Sequence, residues 1–118
     1  MFTNHFGIEI EFTGVTRNQA ARTAARFLGG TVTSTGGCYD AYTVTTPNGQ
    51  VWKFMSDASI NCQRKNQGQT MSASGKHSVE LVSPVLLYYE DIDTLQGLVR
   101  ALRKAGGFAN KTCGIHIH

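Results

Sequence analysis

Phe6-Gly7-Ile8-Glu9-Ile10-Glu11-Phe12 alternates without a break: Phe6, Ile8, Ile10 and Phe12 are apolar, and Gly7, Glu9 and Glu11 are not. A period of two marks a half-buried strand, because successive side chains leave a strand on opposite faces. The apolar set therefore lines a core face. Glu9 and Glu11, two positions apart, both leave the other face, roughly 7 Å from one another. A strand that spends one face on a core and the other on two carboxylates is the element around which the rest of the chain has to be arranged.

Downstream, Arg17 to Leu28 sets Ala20, Ala21, Ala24, Ala25, Phe27 and Leu28 at helical spacing, with Thr16 as its N-cap and Gly29-Gly30 as its stop. Thr31 to Ser34 reads as a short strand. Tyr39 to Thr46 and Gln50 to Ser56 flank Pro47-Asn48-Gly49, and Asn-Gly between two β-rich runs predicts a hairpin. Asn61 to Lys76 is polar, with no apolar anchor, and is expected to be a long mobile loop. His77 to Val82 is a further strand closed by Ser83-Pro84. Asp91 to Lys104 is an amphipathic helix with Ile92, Leu95, Leu98, Val99 and Leu102 inward, ended by Gly106-Gly107. Thr112 to His118 alternates again. This order predicts one α+β domain, residues 1–118: a mainly antiparallel sheet with two helices on one face.

Three of these strands share a feature. Glu80 lies between Val79 and Leu81, so it opposes an apolar face, as Glu9 and Glu11 do. His116 and His118 are two apart, with Ile115 and Ile117 opposite. If every apolar face packs under the helices, the other sheet face gathers three carboxylates and two imidazoles. Carboxylates held together repel unless a cation sits among them. Carboxylates with imidazole suit Mg²⁺ or Mn²⁺, with oxygen dominating the coordination. Each pattern alone has a plainer reading: Glu-x-Glu as a solvated strand face, His-x-His as the remnant of a purification tag. The apolar spacers in Cys-Gly-Ile-His-Ile-His do not look like a tag, and matched parity on separate strands is hard to reach by chance. Asp57, after the strand ending at Ser56, is either a turn cap or a further carboxylate at the rim of the site. Trp52 reads as core. Lys53, facing the other way, is either a plain surface lysine or a group that meets phosphate or carboxylate.

Composition narrows the function. With 118 residues, 41% hydrophobic, the chain can bury a real core, and only 16% of it is charged. A net charge of +3 is compatible with an anionic ligand such as a nucleotide but too weak to argue for nucleic acid. No apolar run approaches the roughly 20 residues of a membrane span. Met1 to His5 carries no signal-peptide pattern, so the cytoplasm is the expected location. Cys38, Cys62 and Cys113 fit neither a zinc pattern nor a disulfide framework and read as reduced thiols.

Four segments in order resemble the amidoligase family: Gly7-Ile8-Glu9-Ile10-Glu11-Phe12; Trp52-Lys53 with Asp57-Ala58-Ser59; Val79-Glu80-Leu81-Val82-Ser83-Pro84; and Asn110 with Cys113-Gly114-Ile115-His116-Ile117-His118. That family is similar to glutamine synthetase and glutamate–cysteine ligase, and many of its members are encoded by phages and bacteria. The resemblance implies the N-terminal part of a glutamine synthetase-like catalytic domain. It also implies ATP-dependent joining of a carboxylate to an amine, of peptide or small-molecule origin, with divalent cations. By the family pattern Glu9, Glu11, Glu80 and His116 are expected to be metal ligands. His118 is expected near the nucleotide phosphates, Lys53 on the nucleotide side, and Asp57 as a catalytic carboxylate on the metal or the amine side.

Family members continue past the His-x-His strand into a portion that supplies arginines and another acidic ligand. The expectation here is therefore a site completed by a missing C-terminal half or by a second chain, or else an inactive remnant. Two other functions fit the same residues. One is a non-catalytic or virion-associated domain that keeps the fold. The other is a metal-dependent hydrolase built on the same Glu and His cluster.

Overall fold

Pairing of the Ile8–Phe12 strand decides where the other elements sit. The computed structural model describes residues 4–118. Met1–Thr3, part of the segment read for a signal peptide, lie outside the described residues. In chain order the elements are β1 (His5–Phe6), β2 (Ile8–Phe12), α1 (Arg17–Leu28), β3 (Thr31–Gly36), β4 (Ala41–Thr45), β5 (Val51–Met55), β6 (Gln63–Asn66), β7 (Gln69–Ser72), a 3₁₀ turn (Gly75–His77), β8 (Val79–Val82), β9 (Leu86–Leu87), α2 (Tyr88–Lys104) and β10 (Ile115–Ile117). Six strands form the main sheet in the order β10-β2-β8-β5-β4-β3. Every neighbouring pair in it is antiparallel. β1 pairs with β9, and β6 with β7.

The fold is α+β, with both helices on one face of this sheet. Thr16 caps α1 in a reciprocal box with Gln19, and Gly29, at φ 69°, closes it in the left-handed conformation that glycine adopts freely. Ala20, Ala21 and Ala24 are buried, so the helix can lie close against the sheet. Leu95, Leu98 and Leu102 of α2 join them over Ile8, Phe12, Val44, Trp52, Phe54, Val79 and Leu81 in one core. α2 begins at Tyr88 rather than Asp91. Asp91 Oδ2 accepts the Leu87 N–H at 2.8 Å, which satisfies one free donor of the first turn, while the exposed Tyr88 and Tyr89 hide the helical period.

Two expectations are corrected. Residues 61–76 are not a structureless loop: Gln63–Asn66 and Gln69–Ser72 form a hairpin turning at Gln67 and Gly68, both at positive φ. The turn has the backbone signs of the tight hairpin connections. Its strands are solvated on both faces, so no apolar alternation betrayed them. Nor do all the apolar strand faces pack under the helices. β10 is the sheet edge, and Ile115 and Ile117 are 64% and 70% exposed. The strand proper is also shorter than Thr112–His118, because Thr112 is held in a turn by Asn110. No helix among the described residues is long and apolar enough to cross a membrane.

Candidate functional site

Strand register builds the site. In adjacent strands, residues directly opposite share a face of the sheet. Glu11 of β2 lies opposite Glu80 of β8, and Glu80 lies opposite Met55 of β5. Asp57, two residues beyond Met55, keeps the same parity just past the end of β5. One step along the sheet, His116 of β10 lies opposite Glu9, Glu9 opposite Val82, and Val82 opposite Lys53. All of these project from the face the helices leave uncovered.

Glu11, Asp57 and Glu80 each bring a carboxylate oxygen to within 4.8 Å of the other two. Crowding at this separation is visible in their protonation. A hydrogen bond to the Asp57 carboxylate, aided by burial, raises Glu11 above the ordinary 4.5, and the Gly114 N–H opposes that rise. The same bond, seen from Asp57, lowers that residue, with Ser59 contributing. Burial, and then the charges of Glu9, Asp57 and Glu11, raise Glu80. Three hard oxygen donors this close are a chemically suitable set for Mg²⁺ or Mn²⁺. A cation among them would replace mutual repulsion with attraction.

Glu9 lies outside that trio, although its charge acts on Glu80. Its Oε1 meets His118 Nε2 at 2.9 Å, and this bond lowers Glu9 below its ordinary value. His116 is exposed, beside Gly114 and across from Glu9. Thus the four expected ligands share one face of adjacent strands, but only Glu11 and Glu80 join the tight cluster. Asp57, read as a rim or amine-side carboxylate, is its third member. His118 pairs with Glu9. Lys53 is exposed on the same face, separated from Glu9 by Val82.

Two polar hubs behind the cluster had no marker in the sequence. Asn110 donates to Asn61 O and Gln63 Oε1, both at 2.9 Å, and its Oδ1 accepts the Thr112 N–H at 3.0 Å. The turn it braces delivers the Gly114 N–H to Glu11 Oε1 at 2.8 Å. Asn110 belonged to a recognised segment, but nothing local announced its partners. The second hub is Arg17, buried at the start of α1. It donates to the Asp40 and Ser78 carbonyls and to Ser78 Oγ, which in turn accepts the Asp57 N–H at 3.3 Å. Asp40, Ser78 and Asp57 are far apart in the chain, so only tertiary contact could reveal the link.

Residues 3–118 match the family model described as "Putative amidoligase enzyme". No curated protein and no solved structure matches, so the expected likeness to glutamine synthetase is not confirmed.

Proposed function

This chain belongs to the amidoligase enzyme family, and we propose that it joins a carboxylate to an amine at the Glu11–Asp57–Glu80 cluster, using ATP and Mg²⁺ or Mn²⁺. The observation that carries the reading is the convergence of three carboxylates from three parts of the chain within 4.8 Å on an open sheet face. In this reaction class a substrate carboxylate takes the terminal phosphoryl group of ATP and ADP leaves. The amine then attacks the acyl carbon, phosphate departs, and the nitrogen gives up a proton as the amide forms. A divalent cation would supply charge compensation for the phosphoryl oxygens.

In this reading Glu11, Asp57 and Glu80 hold the cation, and Glu9 and His116 extend the donor set along β2 and β10. His118, when not engaged by Glu9, meets a nucleotide phosphate, and Lys53 meets a phosphate or carboxylate further across the sheet. Asp57 has a second use as the carboxylate nearest the incoming amine. The uncovered sheet face leaves room for a peptide or for a small acid and amine. The exposed Ile115 and Ile117 support a further polypeptide segment at the β10 edge, from a second chain or the same one. ATP use agrees with the cytoplasm expected from the sequence.

The test is phosphate release from ATP by the full chain, with Mn²⁺ or Mg²⁺ and pools of carboxylates and amines, alongside Glu11→Gln and Glu80→Gln. Metal-dependent turnover that both variants abolish supports the reading. Turnover indifferent to metal or to both substitutions refutes it, and amide hydrolysis without nucleotide would replace it with the hydrolase.

A further inference from the structure

We infer that Ser78, clamped by the buried Arg17, is a positioning residue for Asp57 and so sets the cation affinity of the carboxylate cluster; this rests on the metal-binding reading above. Arg17 is 6% exposed and Ser78 4%. A guanidinium is a fork of five N–H donors that cannot give up its charge, so burying one requires partners on every side. Arg17 finds them in two segments, at Asp40 and across the 3₁₀ turn, at Gly75 and Ser78. Nε and Nη2 donate to Asp40 O and Oδ2 at 3.2 and 2.9 Å, and Nη1 donates to Gly75 O at 2.9 Å and Ser78 O at 2.8 Å. Nη1 also reaches Ser78 Oγ at 3.2 Å.

The Ser78 hydroxyl has no freedom left. It offers one donor and two acceptor positions. The donor goes to Gly75 O at 3.1 Å, and the acceptor positions take Arg17 Nη1 and the Asp57 N–H. Asp57 needs this anchor because the β5–β8 ladder ends at Met55 and Glu80, short of it. Its Oδ1 is then fixed by the Ser59 N–H at 2.9 Å and Ser59 Oγ at 2.6 Å. Backbone position is therefore set from Ser78, just before β8, and carboxylate rotation from Ser59. Ser78→Ala removes only the first of these. The variant also loses the hydroxyl's bond to Gly75 O. The Ser78 N–H still donates to Gly75 O at 3.2 Å and the Arg17 bonds to Gly75 O and Ser78 O survive, so the 3₁₀ turn stays held while the link to Asp57 is cut.

The experiment is a Mn²⁺ titration of the full chain, followed by loss of the free-ion electron paramagnetic resonance signal. It compares wild type, Ser78→Ala, Asp57→Asn and the double variant, with thermal melts in chelator as the control for folding. Ser78→Ala is expected to weaken binding about 10-fold, the scale of lost outer hydrogen bonds in metal sites, and to add nothing once Asp57 is Asn. Wild-type affinity in Ser78→Ala overturns the inference and leaves the metal reading standing. An equal loss in the Asp57→Asn background also overturns it, because Ser78 would then act by loosening the fold. Absence of Mn²⁺ binding by the wild type overturns both. Ser78→Cys, which fills the same space with a weaker acceptor, serves if the alanine variant does not fold, and is expected to lose affinity in the same sense.

Discussion

Gly114 donates its backbone N–H to Glu11 Oε1 at 2.8 Å, and a Cβ built on Gly114 would stand 3.3 Å from that same oxygen. The Glu11 N–H in turn donates to Gly114 O at 3.0 Å, so the two residues are locked together at the start of β10. A close approach of backbone to carboxylate is what glycine permits and a side chain hinders. Gly114→Ala is therefore expected to fold, with a melting temperature within a few degrees of wild type, and to displace the Glu11 carboxylate. Mn²⁺ affinity should fall by about 10-fold. Unchanged affinity would mean that the cluster tolerates movement of Glu11.

The raised values of Glu11 and Glu80 give the protein a pH signature. A carboxyl with a raised folded value binds its proton more tightly in the folded than in the unfolded chain. Its contribution to stability is present at low pH and is lost as pH rises through the raised value. Burial and the neighbouring carboxylates that raise Glu80, and the Asp57 bond and burial that raise Glu11, thus weaken the metal-free fold as pH climbs past 4.5. Glu9 and Asp57 run the other way: the bond to His118 lowers Glu9, and the bond to Glu11, with Ser59, lowers Asp57, so their contributions are lost as pH falls. A cation takes the ionised forms, so stabilisation by Mn²⁺ should grow across the same rise. Melts with and without Mn²⁺ between about pH 4 and pH 7 would show this; a metal-induced gain that shrinks with rising pH would contradict it.

Gly14 follows β2 at φ +94°, and a Cβ there would lie 2.3 Å from the Gly106 carbonyl oxygen and 2.6 Å from the Phe108 ring. Both the backbone conformation and the space exclude a side chain. Gly14→Ala should cost more than about 1 kcal/mol, read as a lower urea midpoint with an unchanged slope. Because Gly14 N–H also binds Gln63 O at 3.0 Å, the loss should extend to the base of the hairpin. Wild-type stability would show that this contact relaxes easily.

The β6–β7 hairpin is exposed along almost its whole length, and Gln67 sits at φ 52°. Its amides should exchange with solvent faster than those of the central strands β5 and β8, which open only with the core. Gln67→Asn, a residue that adopts positive φ more readily, should slow exchange within the hairpin and change global stability by less than about 0.5 kcal/mol. Protection in β6 and β7 equal to that of β8 would show that the hairpin unfolds only with the whole domain.

Much of the α1 reading was local and therefore legible: Thr16 and Gly29 act through neighbours within a few residues. So was the Asn48-Gly49 connection, where Gly49 N–H reaches Thr46 O at 2.9 Å. The hairpin at Gln67 was not legible, because exposure on both faces removes the apolar alternation by which a strand is recognised.

What the sequence by itself determined was parity: Glu9, Glu11, Glu80 and His116 oppose apolar neighbours, and alternation is a property of the strand backbone that needs no partner. Tertiary structure alone decided adjacency and cover. The strand order β10-β2-β8-β5 put Glu11 opposite Glu80 and carried Asp57 into the cluster, because hydrogen-bonded ladders join segments that the chain separates. The position of β10 at the sheet edge left Ile115 and Ile117 exposed while Ile8 was buried, although the three share one alternation. Burial depends on what lies opposite a face in space, and no local pattern carries that information.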